Sequence, residues 1–469
     1  MRISPLLFWS LLGALALSGL GVTLAYSRGR FPGQPVDGPP IALVGARVYD
    51  PAADSYLDPA TVIIRGREIL AVEQYVPVPD SARVVYLGGL TLLPGLIDSH
   101  VHLSGIRSRV ADGSREFGWV RYLWKFIRRF PERRQSLIEA GVTTAKSLGD
   151  PYPWIIGLAE RIERHELAGP RIFAAGPMLT APGGHPVAQL RRAGQGDTSF
   201  IAQVTRQLVG PAEAEVAVGE IAARVAFFSA VLERRSEVEP PAMSEAVLRS
   251  LTAAAHDQGR RVLAHVGSVE DVATALAAGV DGIEHVPTDQ ILDFATLDAL
   301  RERGLFVDPT LQAVEQYVGG LRGDTAAARR ARANLELLRA VEVQLVAGSD
   351  APNPGTTFGY TLHEELRNLV EAGLTPGQAI AAATTAAAEY LGISHRLGSI
   401  TPGKWADIIA VAGDPSRDIA ATTDIYLVIA DGQILFDRLD QIQRRGGVIA
   451  MHNSPEKART GFSQKSPMP

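Results

Sequence analysis

Cysteine is absent from the 469-residue chain. Disulfides, thiolate metal ligands and cysteine nucleophiles are therefore excluded, while the redox compartment stays open. Lysine is scarce, occurring only at Lys125, Lys146, Lys404, Lys457 and Lys465, with none between positions 147 and 403. Excess positive charge is also missing, because 46 Lys+Arg stand against 51 Asp+Glu for a formal net charge of −5. Such a chain has no field to hold a polyanion through counterion release, so no nucleic acid partner is expected. The folded region has no GxSxG elbow, Walker lysine loop or dinucleotide fingerprint, which leaves serine hydrolase, NTPase and Rossmann readings without support. What is present, 46% hydrophobic and 21% charged residues, suits a folded protein and excludes wholesale disorder, collagen and a disulfide mini-protein. Length divided by roughly 150 suggests about three domains, but α/β barrels reach about 250 residues as one unit. One large domain plus an accessory is expected.

The two ends stand apart from this core. An uncharged apolar run from about Pro5 to Tyr26 follows Arg2, and residues 1–27 read as a signal peptide or an N-terminal membrane anchor. The run exceeds the usual ~7–15-residue signal core, and Ala14-Leu-Ala16 comes too early for a clean cleavage site. Arg2, Arg28 and Arg30 flank both sides, so the positive-inside rule does not orient it. Export is the expectation, to a periplasmic, extracytoplasmic or membrane-anchored location, with membrane association through residues 5–26. Residues 28–40 read as a Gly/Pro/Arg-rich linker and 439–469 as a disordered tail.

Short β-rich runs (IALVGARVYD, TVIIRG, EILAVEQY, ARVVYLGG) fill the first part of the folded region. A second set, ADIIAVAG and IYLVIADGQILF, appears only after residue 405, with an Asp431-Gly432 hairpin signal. The two sets predict one composite β-sandwich from residues 41–95 and 398–438. Between them, residues 96–397 alternate eight candidate strands with helices: LIDSHVHL, TTAKSLG, RIFAAGP, VAFFSAV, RVLAHVG, GIEHV, LFVDPTL and LVAGSD. That pattern predicts an α/β fold, a (β/α)8 TIM barrel whose active site gathers at the strands' C-terminal ends. Helix punctuation agrees. Ser244 is placed to cap a helix stopping at Gly259, and Thr375-Pro376 to open one that Gln378 completes as a capping box and Gly392 ends.

Strand one ends in Ser99-His100-Val101-His102, and side chains two apart share a strand face, so both imidazoles point one way. Neighbouring imidazoles suit a divalent metal. His265 ends strand five, His285 strand six and Asp350 strand eight, and a barrel brings these ends to one mouth. Each has a bland alternative: His265 as a satisfied core residue, Asp350 as a helix or turn cap. Their joint placement favours a metal site.

Here the chain resembles a known family. GLTLLPGLIDSHVHL, AGVTTAKSLGD, RVLAHVGS, GIEHV, AGSDAP, EAGLTPGQAIAAATTAAAEYLGI and LGSITPGKWADIIAV look like the metal-dependent amidohydrolase superfamily, nearest its imidazolonepropionase-like and Xaa-Pro or Xaa-Arg dipeptidase branches. The resemblance covers about residues 41–438. It implies that His100, His102 and Asp350 bind the more buried metal, that His265 and His285 bind a second, and that Asp350 accepts the proton of the attacking water. It also implies that His185, in TAPGGHP, lies near the substrate carbonyl; a turn feature is its bland alternative. Zinc is the expected ion, one or two per chain, with Mn2+ and Fe2+ as alternatives. The chemistry is coherent: a bound cation acidifies its water and polarises a carbonyl, and a neighbouring carboxylate shuttles the proton.

One departure stands out. Dipeptidase-like members carry on strand four a carboxylated lysine that bridges two metals, and VAFFSAVLE places Ser229 there. Three readings stay open: a mononuclear site with His285 orienting water, a bridge through Glu233 or Lys146, or a degenerate site. For Glu233 and Lys146 a solvated rim charge or a carboxylate partner is the blander reading. Helix one, WVRYLWKFIRRFPERR from Trp119, reads as an outer barrel helix with a solvated face, or as an interfacial segment. The chain is thus expected to be a metal-dependent hydrolase acting on a C–N bond of a small amide, peptide-like or cyclic substrate, with Asp350 as general base, His285 and His185 assisting. The alternatives are a deaminase of the same superfamily and a non-catalytic envelope binding or scaffold protein. The loops at 186–218 and 312–335 show no pattern that names a substrate, and nothing indicates the oligomeric state.

Overall fold

The computed structural model describes residues 38–105, 130, 132–192, 198–234 and 242–439. The segment read as a signal or anchor, the tail from residue 440 and most of the Trp119 stretch lie outside the described residues. Among the described residues no helix is long and apolar enough to cross a membrane.

The first strands are β1 (Ile41–Asp50), β2 (Ser55–Arg65), β3 (Glu68–Glu73), β4 (Arg83–Tyr86) and β5 (Leu90–Pro94). The chain then runs through β6 (Leu96–Val101), β7 (Val142–Ser147), β8 (Arg171–Ala174), β9 (Met178–Thr180), β10 (Thr205–Gln207) and β11 (Phe227–Val231). It continues through β12 (Arg261–His265), β13 (Gly282–Glu284), β14 (Phe306–Asp308) and β15 (Gln344–Leu345), and closes with β16 (Ile408–Ala412), β17 (Ile425–Ala430) and β18 (Gln433–Asp437).

The composite sandwich is one hydrogen-bonded sheet of eight strands, β18-β17-β16-β5-β1-β2-β3 with β4 on β1. Its seam is β5 against β16, antiparallel from Leu90↔Ala412 to Pro94↔Ile408, which joins the two ends of the chain's folded region. Strands from both ends share one apolar cluster, including Leu43, Val62, Ile69, Leu92, Ile408 and Leu427. Asp431 and Gly432 turn between β17 and β18 with φ of 51° and 75°, the pair of left-handed residues that a two-residue type I′ hairpin requires.

The eight barrel strands read from the sequence appear as β6, β7, β8, β11, β12, β13, β14 and β15, paired in parallel where they are bonded. Beyond them, β9 and β10 add a short parallel pair that β9 ties to β11 through Leu179↔Ala230. The barrel closes where Ser99 N–H donates to the Ala347 carbonyl (2.9 Å) and Asp350 N–H to the His100 carbonyl (2.8 Å). These bonds set the register of strands one and eight, and with it the face to which His100 and His102 turn.

Ser244 caps the helix Glu245–Asp257 by accepting from Val247 N–H, and Gly259 follows with φ 64°. The Thr375/Gln378 capping box also forms. The helix it opens, however, ends at Ala382 rather than near Gly392, and a second helix spans Thr385–Tyr390. The cause is tertiary. Ala382 and Ala383 carbonyls accept from Ala347 and Ile97 N–H at 3.1 and 2.7 Å, closing the barrel floor, while Thr384 Oγ1 donates back to Ile380 (2.7 Å). Carbonyls used by strands cannot propagate a helix. A second correction concerns the basic end of the Trp119 stretch. Arg133 and Arg134 are buried, donating to the carbonyls of Leu103 and Ala168 and lying over Phe358 and Phe130 rather than in solvent.

A polar clasp joins barrel and sheet. Arg171 of β8 pairs with Asp431 (2.9 Å) and Glu163 (3.1 Å), lies 3.7 Å from Asp407, and sits 4.2 Å over the Trp405 ring. Arg171→Met would leave the buried Asp407 without its cation and Asp431 with Arg67 alone among the arginines. The expected loss is about 3 kcal/mol, read as a lower urea midpoint than wild type; an unchanged midpoint would show that the clasp adds no stability.

Candidate metal centre

His100, His102, His265, His285 and Asp350 meet in one place. The His100 ring centroid lies 5.2 Å from His102, 5.0 Å from His265 and 4.9 Å from His285, and His265 and His285 are 5.1 Å apart. All are buried except His102, which is partly shielded. The strand period puts His100 and His102 on one side. Asp98 then locks strand one to strand eight, accepting from His100 N–H (3.2 Å), Ser349 N–H (2.9 Å) and Ser349 Oγ–H (2.7 Å). Gly348 is required by the same packing, since a Cβ there would stand 2.6 Å from His100 Cβ and 2.3 Å from Asp308 Oδ2.

The outer nitrogen of each ring fixes its tautomer. His100 Nδ1 donates to Glu284 Oε2 (2.9 Å), a carboxylate that can only accept. Ser229 Oγ donates to the Leu148 carbonyl (3.2 Å) and so accepts from His265 Nε2 (2.9 Å). Thr310 Oγ1 donates to the Pro309 carbonyl (2.9 Å) and accepts from His285 Nδ1 (2.7 Å). His102 turns Nε2 toward Asp350 and hydrogen-bonds the Gly149 backbone with the ring's other side. The inner nitrogens of His100, His265 and His285 thus face one another as one group, while His102 Nε2 faces the Asp350 carboxylate.

Their spacing is short: His265 Nδ1 to His285 Nε2 is 3.1 Å and His100 Nε2 to His102 Nε2 is 3.3 Å. Asp350 Oδ1 stands buried, 3.1 Å from His102 Nε2 and 3.4 Å from His100 Nε2. Two ligands each about 2.1 Å from one ion are about 3.0–3.4 Å apart at octahedral to tetrahedral angles. The donor set thus fits a divalent cation. Burial, then the neighbouring rings, push His265 well below the usual histidine value, toward the neutral ligand form. His285, Thr310 and Asp350 take left-handed φ of 73°, 42° and 47°, backbone strain typical of side chains re-aimed at a site.

Other singled-out residues fall around this cluster. His185 is outside it, with Nε2 3.4 Å from Glu233 Oε1 at the mouth. Lys146, weighed as a bridge, is fully buried and gives Nζ to Glu284 Oε1 (2.5 Å), the blander alternative for it. Glu284 also accepts from Tyr390 O–H (2.7 Å). Burial would raise Glu284, but Lys146 and His100 hold it at about 2. Sequence reasoning missed Glu284, Thr310 and Tyr390; the adjacency of Glu284 to His285 was the sole local signal for any of them. A cleft opens beside His285 and Asp350, lined among others by Glu233, Val286, Tyr317, Val318, Arg322 and Asn353. The stretch 312–335, expected as a loop, is instead helical over Leu311–Glu315, Gln316–Leu321 and Thr325–Ala340, and its first part supplies one wall.

The Amidohydrolase family model matches residues 91–435. The imidazolonepropionase of Deinococcus deserti is 26% identical over 398 residues, covering 78% of this chain and 88% of that protein. The ochratoxinase of Aspergillus niger is 24% identical over 362 residues, 70% of this chain and 71% of its own. A crystal structure of a Xaa-Pro dipeptidase with bound methionine superposes with a TM-score of 0.70 at 24% identity, covering 84% of this chain and 99% of the other.

The Lys146–Glu284 pair should behave as a unit. Lys146→Met or Glu284→Gln alone strands a buried charge and is expected to destabilise by about 3–5 kcal/mol. The double variant should lose less than the sum, with a coupling of about 1–3 kcal/mol in a denaturation cycle; strict additivity would show that the two groups are independent.

Proposed function

The chain belongs to the amidohydrolase family, and on that premise we propose that it is a metal-dependent hydrolase cleaving a C–N bond in a small amide, dipeptide-like or cyclic amide substrate. The carrying observation is that candidate ligand atoms gather in two adjoining buried groups, His100 with His265 and His285 and His100 with His102 and Asp350, joined at His100. Held by His100, His102, His265, His285 and Asp350, a divalent ion would supply Lewis acidity to a water and to the substrate carbonyl. An imidazole-rich set with one carboxylate suits Zn2+ first, with Mn2+ and Fe2+ as alternatives.

The side chains divide the remaining work. Asp350, ionised and aimed inward, takes the proton of the attacking water and returns it to the leaving nitrogen. Glu284, Ser229, Thr310 and the Gly149 backbone keep the imidazole protons on the outer face, so the inner face stays free to ligate. His185, placed by Glu233 at the mouth, orients the substrate carbonyl. The cleft's aliphatic wall, with Tyr317, Arg322 and Asn353 among its lining, accepts a small substrate carrying both apolar and polar parts. The activities named for the relatives, on an imidazolone ring and on a Xaa-Pro dipeptide, support a C–N bond as the target.

Chelation of the full-length protein should abolish hydrolysis across a dipeptide and lactam panel, and Zn2+ should restore it. Asp350→Asn should lower kcat by roughly 10²–10⁴-fold, and His100→Ala should remove metal binding. Undiminished turnover after chelation would overturn the reading. Ammonia in place of amino acid release would convert it to a deaminase, and bound metal without any turnover would favour a binding module.

A further inference from the structure

The helix Leu311–Glu315 begins at a residue whose hydroxyl is engaged elsewhere. Threonine ordinarily caps such an end, but Thr310 has a left-handed φ of 42° and makes no side-chain cap bond. Its hydroxyl donates to the Pro309 carbonyl (2.9 Å) and accepts from His285 Nδ1 (2.7 Å). The first N–H groups are met from another helix instead. Glu365 of Tyr360–Glu371 is wholly buried, and its Oε1 accepts from Leu311 N–H and its Oε2 from Gln312 N–H, each at 2.8 Å. We propose that Glu365 is a positioning residue that supplies the cap Thr310 withholds and thereby fixes the apolar wall of the cleft, against which the apolar part of the substrate is seated. The inference rests on the hydrolase reading above and adds to it one support of substrate capture.

The wall has two faces. Ala313, Val314, Tyr317 and Val318 line the cleft, a spacing of one, four and five residues that marks one side of a helix. The opposite side, Leu311, Gln312 and Glu315, carries the anchors. Besides the two bonds to Glu365, Gln312 Oε1 accepts from Asn368 Nδ2 (3.3 Å), and Arg332 holds Glu315 with Nε at 2.9 Å and Nη2 at 3.0 Å. Arg332 Nη2 also donates to Asn368 Oδ1 (3.3 Å). These further ties grip side chains, whereas Glu365 alone meets the Leu311 and Gln312 backbone N–H groups, which no preceding turn can satisfy.

The same stretch continues as the π-helical turn Gln316–Leu321, a geometry found mostly at functional sites. Gly355, at φ 86°, lets Gln316 pass, since a Cβ there would stand 2.6 Å from Gln316 Cβ. Facing the wall across the cleft are Glu233, His285, Asp350 and Asn353. A substrate that keeps its polar scissile group toward His285 and Asp350 thus meets an apolar surface on its other side, at a distance set by how firmly the first turn is held.

Full-length Glu365→Gln keeps one acceptor oxygen and Glu365→Ala keeps none. For the best apolar substrate in the dipeptide and lactam panel, KM should rise about tenfold in Glu365→Ala and less in Glu365→Gln, with kcat within about threefold of wild type. Amide hydrogen exchange should quicken about tenfold or more across 311–321 in Glu365→Ala, again less in Glu365→Gln, while β11 to β13 keep wild-type protection. If the alanine variant does not fold, the glutamine variant carries both readouts. Wild-type exchange across 311–321, or equal quickening throughout the barrel, would overturn the tether; a fall in kcat with KM unmoved would overturn its part in seating substrate. Absence of any hydrolysis by the wild-type chain would sink the proposed function, whereas exchange quickened only across 311–321 would still uphold the tether.

Discussion

Ring nitrogens of His100 and His102, and of His265 and His285, are confined 3.1–3.3 Å apart, with the Asp350 carboxylate 3.1–3.4 Å from the first pair, and much of the barrel interior is arranged to hold them there. In water such groups would separate or protonate. Inside the barrel, desolvation disfavours imidazolium, and each outer nitrogen is given an acceptor that anchors its proton away from the cluster. The result is a set of donors held in place by their outer partners, the arrangement that the proposed divalent ion would need.

The acceptors come from strands far apart in sequence, so the site depends on barrel closure. Glu284 reaches His100 across 184 positions, and Ser229 reaches His265 across 36. Asp98 and Ser349 pin strand one against strand eight at the same level. Beneath the cluster, Lys146 balances Glu284 in a layer sealed from solvent, where either charge alone would be costly. Helices donate to this closure too: the break at Ala382–Thr384 frees carbonyls that strands one and eight use. The clasp around Trp405 extends the same logic outward, fixing the sheet against β8 through Arg171, Asp407 and Asp431.

Much of this was legible in the residues themselves. Strand spacing put His100 and His102 on one face, alternation of strands and helices gave eight barrel strands, and Ser244, Thr375 and Asp431-Gly432 marked caps and a turn that form. These features depend on local dihedral preference and period, which neighbouring residues encode. Where the reading slipped, a distant partner had intervened. Gly392 looked like the end of one long helix, but strand N–H groups claimed the carbonyls that would have continued it. Arg133 and Arg134 looked solvated because an arginine run carries no sign of the buried carbonyls that receive it.

The sequence by itself determined which donors exist: no thiolate, no lysine from 147 to 403, and histidines and an aspartate at strand ends. It thereby narrowed any metal site to imidazole and carboxylate and raised the question of what replaces a bridge at Ser229. Only the tertiary structure decided how those donors are used. It showed that Lys146 serves Glu284, that Ser229 faces one ring nitrogen of His265, and that the other stands 3.1 Å from His285. Such pairings are set by register between strands, where a shift of one residue turns every side chain to the opposite face, and no local pattern in a single strand carries that information.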